Sequence, residues 1–360
     1  MPNDRIRRED RCSSLCLRPE TRHVEWVGQQ RDPIAGASKT TTMFRICKGV
    51  MHMKLAIIGV PFNSAGTNTA EALAPAVLRE AGLIEALSRG NDVDDYGDVE
   101  FDAAKSTSRD KESGIIAPKA LLSMISAVRT AVARAYGEGR MPVVVGGDCS
   151  LLLGGLLAAR DQLGYGPALL FVDGHEDSYE PRKSMNGEAA DMELGLAIGF
   201  TTVKGLPELS DELPIIDPHQ VVLIGARDSD EVETEGHKSI GTRVIVLDDT
   251  ELRAAGVEST VLRWLEQFQH KPGRFWFHLD WDVLSSDEMP AVSYPQPGGL
   301  VWDEVETIAR AAIHADHLIG IDTTLYNPQL DPNRTAARKI VEFLAEVTAA
   351  PEREPRLGRI

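Results

Sequence analysis

Three short acid-rich clusters follow apolar runs in the chain: Gly146-Gly147-Asp148-Cys149-Ser150, Asp173-Gly174-His175-Glu176-Asp177 and His278-Leu279-Asp280-Trp281-Asp282. Residues two apart point to the same side of an extended chain. Asp173, His175 and Asp177 can therefore converge on one point, and so can His278, Asp280 and Asp282. Carboxylates gathered without basic partners repel one another unless a cation lies between them. Carboxylates with imidazole suit Mn²⁺, Zn²⁺ or Fe²⁺, and a centre of two such ions could activate water for hydrolysis. A lone Asp of this kind reads as a helix cap or a solvated loop acid. Two clusters with this spacing at apolar strand ends point to metal binding.

Such clusters need a frame that brings them together. From Lys54 onward, apolar runs at 55–60, 142–146, 168–172, 220–225, 243–247, 274–281 and 317–322 read as strands. Between them, 74–88, 118–137, 150–161, 257–269, 302–314 and 334–348 carry helical patterning. Runs such as Ala168-Leu169-Leu170-Phe171-Val172 are apolar on both faces, the mark of a parallel sheet covered by helices on both sides. Alternating β and α units predict a single doubly wound, mostly parallel α/β domain over 54–350. In that architecture ligands bind beyond the C-terminal ends of the strands, where the acids of this chain gather.

The three clusters resemble the metal motifs of the arginase–agmatinase–formimidoylglutamase (ureohydrolase) family, which read Gly-Gly-Asp-His-Ser, Asp-Ala-His-x-Asp and Asp-x-Asp. The resemblance runs from about Lys54 to the C-terminal helix and includes Gly59-Val60-Pro61-Phe62, Pro75 with Leu78-Arg79, and Gly298-Gly299-Leu300. It implies an arginase-like fold and two Mn²⁺ ions. Asp173 and Asp280 would bridge them, His175 and Asp282 would complete one site, and Asp177 with Cys149 the other. It also implies hydrolysis of a linear C–N bond in an amidine or guanidino-type substrate by metal-activated hydroxide. A further similarity, in Ile224 to Glu233, would place Asp230 and Glu233 at the substrate pocket rim; an acidic surface loop is the plainer reading.

The chain departs from the family pattern at three places. Cys149 replaces a histidine, and as a thiolate it would favour Zn²⁺ or Fe²⁺ over Mn²⁺, leaving one ion or two. Asn186-Gly187 stands for the usual His-Gly, and asparagine cannot shuttle a proton. Glu188 beside it could do so with a raised pKa, and His278 is the stronger candidate. His278 reads as a proton shuttle or an extra metal ligand, against a histidine merely hydrogen-bonded to Asp280 and Asp282. Finally, Leu325 stands where the family's guanidinium-gripping acid is expected, which argues against arginine and agmatine as substrates. Two other readings stay open: a one-metal deacetylase-like amide hydrolase, and a catalytically inactive metal-binding homologue.

Composition narrows the partners. A net charge of −17 and a pI near 5.0 disfavour nucleic acid and anionic membranes. No apolar run is long enough for a membrane span. Three of the four cysteines, Cys12, Cys16 and Cys47, precede residue 50, so no disulfide framework supports the main domain, which fits a cytoplasmic setting. The resemblance adds a small-molecule substrate and a homo-oligomer, trimer or hexamer. Residues 1–50 carry ten Lys/Arg against six Asp/Glu without apolar periodicity, and read as a disordered extension, with translation starting at Met51 or Met53; 351–360 read as a tail. Deleting 1–50 is expected to leave the thermal midpoint and metal content unchanged; a large fall in the midpoint would contradict that reading.

Overall fold

The computed structural model describes residues 52–350 apart from 105, 271 and 272, so the readings of 1–50 and 351–360 lie outside the described residues. Eight strands form one sheet: β1 (Lys54–Gly59), β2 (Asp92–Asp98), β3 (Met141–Val145), β4 (Ala168–Val172), β5 (Val221–Ile224), β6 (Ile245–Leu247), β7 (Phe275–Asp280) and β8 (Leu318–Thr324). Their order is β2-β1-β3-β8-β7-β4-β5-β6, and every pairing is parallel, where a mostly parallel sheet was expected.

Alternation along the central strands explains why helices cover both faces. Phe275, Phe277 and Leu279 of β7 enter one buried cluster with Ala168, Leu170 and Val172 of β4. Trp276, Leu169 and Phe171 enter the cluster on the other face. Each such large side chain contributes roughly 1.5–3 kcal/mol by leaving water. The first face is covered by the helices Val257–His270, Trp302–Ile313 and Thr335–Thr348, which bury Val261, Val305 and Ile340. On the second face lie Pro118–Gly137 and Leu152–Leu163, with Leu121, Val128 and Leu156 turned inward.

Several short helices, Glu193–Ala197, Ser229–Thr234 and Asp249–Ala255 among them, were not read from the sequence, and two further differences have identifiable reasons. β2, Asp92-Val-Asp-Asp-Tyr-Gly-Asp, lacks an apolar face because it is the outer strand beside β1 and stays largely accessible. Charged residues are what an edge strand tolerates, and they discourage pairing with other chains. The helical stretch at 74–88 is broken into Ala74–Glu80 and Leu83–Leu87 by Gly82, whose φ of +93° a continuous helix cannot accommodate.

The strands carrying the acid clusters, β3, β7 and β4, lie at the sheet centre, with β8 between β3 and β7. Their C-terminal ends open on the same edge, so the clusters share one neighbourhood.

Candidate metal centre

The Gly-Gly step shapes the turn after β3. Gly147 has φ +78°, and a Cβ there would lie 2.6 Å from the Val60 carbonyl oxygen, so only glycine lets the two loops approach. The turn gives its two polar side chains different tasks. Asp148 accepts hydrogen bonds from the Ser150 amide at 3.1 Å and from the Ser64 amide, fixing the loop. Cys149 points inward, with Sγ 2.6 Å from Asp280 Oδ2 and 3.3 Å from Thr324 Oγ1.

The second cluster converges, but not by strand alternation as the sequence suggested. β4 stops at Val172, and Asp173 to Asp177 form a turn in which Asp177 adopts φ +42°. A non-glycine residue in that region costs about 1–3 kcal/mol and persists where surrounding structure enforces it. The Asp173 carboxylate accepts the His175 amide at 2.7 Å, while His175 Nδ1 lies 3.1 Å from Asp282 Oδ2. Glu176 turns the other way and is fully buried, accepting from Ser229 and Ser239 Oγ at 2.6 Å each and from the Ile240 amide at 2.7 Å. It is a loop anchor. In the third cluster only His278 and Asp280 lie on β7; Asp282 belongs to the tight turn Trp281–Val283 and accepts from the Gly174 amide at 3.0 Å.

His278 is held by a chain of contacts that starts in the core. Trp276 lies over Gly320, where a Cβ would come within 2.2 Å of the ring, and its indole N–H donates to Asp322. The other Asp322 oxygen pairs with His278 Nδ1, and Phe171 stacks on the imidazole with centroids 4.3 Å apart. The carboxylate partner is thus Asp322, not Asp280 or Asp282. A proton on Nδ1 leaves the Nε2 lone pair aimed at the acids, the arrangement commonly found behind a metal-ligating histidine. Nε2 faces Asp173 Oδ2 at 3.4 Å, and neither atom has a hydrogen-bond partner.

Three overlapping sets of side chains each bring their ligand atoms within 4.8 Å of one another: Cys149, Asp173, His278 and Asp280; Cys149, Asp177 and Glu193; and Asp173, His175 and Asp177. Burial pushes the carboxyls of Asp177, Asp280 and Glu193 upward, with neighbouring acids adding to it. Burial and then Asp280 and Asp173 push the Cys149 thiol up. Burial also opposes ionisation of Asp173, but the neighbouring His175 and His278 hold its carboxyl below the usual range. For His175 burial opposes the charge, and Asp282 and Asp173 outweigh it; for His278 burial is outweighed by Asp322 and Asp173. The unpartnered oxygens of Asp173 and Glu193, with His278 Nε2, are the donor set a divalent cation satisfies. The residues present fit a metal centre.

The remaining residues singled out in the sequence are not all in this cluster. Glu188 is half-buried and accepts from the Tyr294 hydroxyl at 3.1 Å; burial and then Asp148 raise its pKa. Asn186 turns its side chain to the Glu188 amide at 2.9 Å, so it shapes the loop. Asp230 and Glu233 are exposed on the short helix Ser229–Thr234 beyond β5. Leu325 has φ +64° and packs against Cys149 and Ala190. Asp322, Thr324 and Glu193 were not read from the sequence as site residues. A strand extended two residues beyond 322 would have aligned Thr324 with Asp322, and Glu193 interrupts the apolar run Met192 to Ile198.

Comparison with known proteins decides the relationship. The Arginase family matches residues 53–349. The chain belongs to the arginase family. Arginase from Bacillus caldovelox is 27% identical over 288 residues, covering 79% of this chain and 94% of that protein. Human Arginase-1 is 28% identical over 306 residues, covering 82% and 92%. The native structure of the Bacillus caldovelox arginase superposes with a TM-score of 0.71 at 26% identity, covering 82% of this chain and 98% of that one. An arginase-family chain thus has Cys149 at its centre and apolar Leu325 beside it. The deacetylase-like and inactive-homologue readings are not favoured by these relatives. Among the described residues no helix is long and apolar enough to cross a membrane.

Proposed function

We propose that the chain hydrolyses a linear C–N bond in an amidine or guanidino-type small molecule other than arginine or agmatine. Asp173, Asp280, His175 and Asp282 would hold one divalent ion, and Asp173, Asp280, Asp177 and Cys149 a second. The observation that carries this reading is the convergence of Cys149, Asp173, His175, Asp177, His278 and Asp280 at the ends of β3, β4 and β7. Such ions, Mn²⁺ or with Cys149 Zn²⁺ or Fe²⁺, would supply activation of water near neutral pH.

The chain's own groups do the rest. Water oxygen bonds to the central carbon as one of its protons leaves, the C–N bond breaks, and a proton passes to the departing amine. Glu188, with its raised pKa and its Tyr294 partner, would pass that proton. His278 is fully enclosed and its Nε2 faces the acids, which suits a ligand better than a shuttle to solvent. Leu325 offers no charge to a guanidinium, so recognition falls to other groups, among them Asp230 and Glu233 at the rim. The setting is a cytoplasmic homo-oligomer, trimer or hexamer.

Metal-loaded protein assayed against amidines, guanidines and acylated amines tests the reaction. Expected is chelator-sensitive release of urea, ammonia or the corresponding amide from an amidine or guanidino compound, with arginine and agmatine poor. Turnover of acylated amines alone would instead support the deacetylase-like chemistry.

A further inference from the structure

Glu193 has no role in the motifs that define the centre, yet it is fully buried and neither carboxyl oxygen finds a hydrogen-bond partner. Its position is forced by the backbone. Glu193 opens the short helix Glu193–Ala197, and the Gly195 amide donates to the Asp177 carbonyl at 2.9 Å. A Cβ on Gly195 would lie 2.9 Å from Ser178 Cα, so the helix is pressed directly on the turn carrying Asp177. The remaining helix residues Leu194, Leu196 and Ala197 pack into the core, which an uncharged residue at 193 would allow equally well. What the acid adds is a ligand atom within 4.8 Å of both Cys149 Sγ and an Asp177 oxygen. Two adjacent carboxylates cannot hydrogen-bond unless one holds a proton, and a shared cation satisfies both.

We propose that Glu193 is a metal ligand of the Cys149 centre, completing with Cys149 and Asp177 a sulfur-and-carboxylate site selective for Zn²⁺ or Fe²⁺ over Mn²⁺. The proposal rests on the two-ion reading above. It adds a ligand that comes from a helix outside the three acid clusters. The thiolate in place of imidazole softens the site and shifts its preference, while the second carboxylate adds the negative charge that offsets the ion.

The test uses the full chain, wild type and Glu193→Gln, stripped with chelator and reloaded with Zn²⁺ or with Co²⁺ as a coloured reporter. Wild type is expected to hold two ions per chain and to show the thiolate-to-cobalt charge-transfer band. Glu193→Gln should keep one ion and bind the second about 100-fold more weakly or worse, losing the band at stoichiometric cobalt. Metal-free Glu193→Gln should melt no lower than metal-free wild type, because one of two crowded buried carboxyl groups is gone, and should gain less on metal addition. Glu193→Asp, which keeps a shorter carboxylate, should fall between the two and serves if the glutamine variant does not fold. Unchanged affinity for both ions in either variant overturns the proposal, as does a wild type that stops at one ion. These readouts need no substrate, so failed turnover with two bound ions would sink the proposed reaction and leave Glu193 in place.

Discussion

Alanine at Asp173 or at Asp280 is expected to strip the chain of bound metal. Asp173 is 1% exposed and lies between the two histidines, with His175 Nδ1 at 3.6 Å and His278 Nε2 at 3.4 Å. Asp280 is fully buried and takes Cys149 Sγ at 2.6 Å, Thr324 Oγ1 at 2.9 Å and the Asp282 amide at 2.7 Å. In the proposed two-ion reading each carboxylate is shared by both ions. Removing either one leaves the remaining acids with less cation to offset their repulsion. Ion content should fall towards zero in both variants. Any turnover should drop by roughly a thousandfold, the loss of several kcal/mol of charge stabilisation. Each variant must also leave buried groups unpaired, about 1–3 kcal/mol apiece, so a lowered melting point is expected as well. Full metal content in both would defeat the assignment.

Cys149→His is expected to raise manganese occupancy. In wild type, Mn²⁺ should fill the His175–Asp282 position first, with the Cys149 position weak or empty, because a thiol among carboxylates gives up its proton reluctantly. An imidazole needs no such ionisation. Cys149 is 2% exposed and packed against Ala190 and Leu325, so the larger ring should cost about 1–3 kcal/mol of stability. Leu325 should still block arginine in this variant. The double variant Cys149→His/Leu325→Glu is the one expected to gain activity on guanidino compounds. Its two sites are in contact, so their effects should not add. Two tightly bound manganese ions in wild type, with no gain in Cys149→His, would show that the cysteine is not a weakened ligand.

Much of this centre was legible from spacing, because several carboxylates crowded at the ends of apolar strands repel one another too strongly to persist without a cation. Spacing pointed to Asp173 and Asp280 as ligands at strand ends, and the resemblance to the family joined them and added Cys149. The reason assigned to their convergence was partly wrong: the turn at Asp177 and the tight turn at Asp282 do what strand alternation was expected to do. The edge strand β2 was invisible because its pairing rests on backbone hydrogen bonds, which composition does not reveal. Glu193 and Asp322 escaped for a related reason. Each owes its importance to which helix or strand packs beside it, a tertiary relation with only a faint trace in one sequence. Glu188, Asp230 and Glu233 are placed by the fold outside the tightest cluster, where local sequence says least about chemistry.

Anomalous diffraction from crystals of the full chain, stripped and reloaded with zinc and recorded at the zinc edge, tests the central claim most directly. Two peaks are predicted beyond the C-terminal ends of β3, β4 and β7, one beside His175 and Asp282 and the other beside Cys149 and Asp177. Absence of a peak between Asp173 and Asp280, or zinc bound only elsewhere on the surface, would contradict a metal-dependent hydrolase built on these residues.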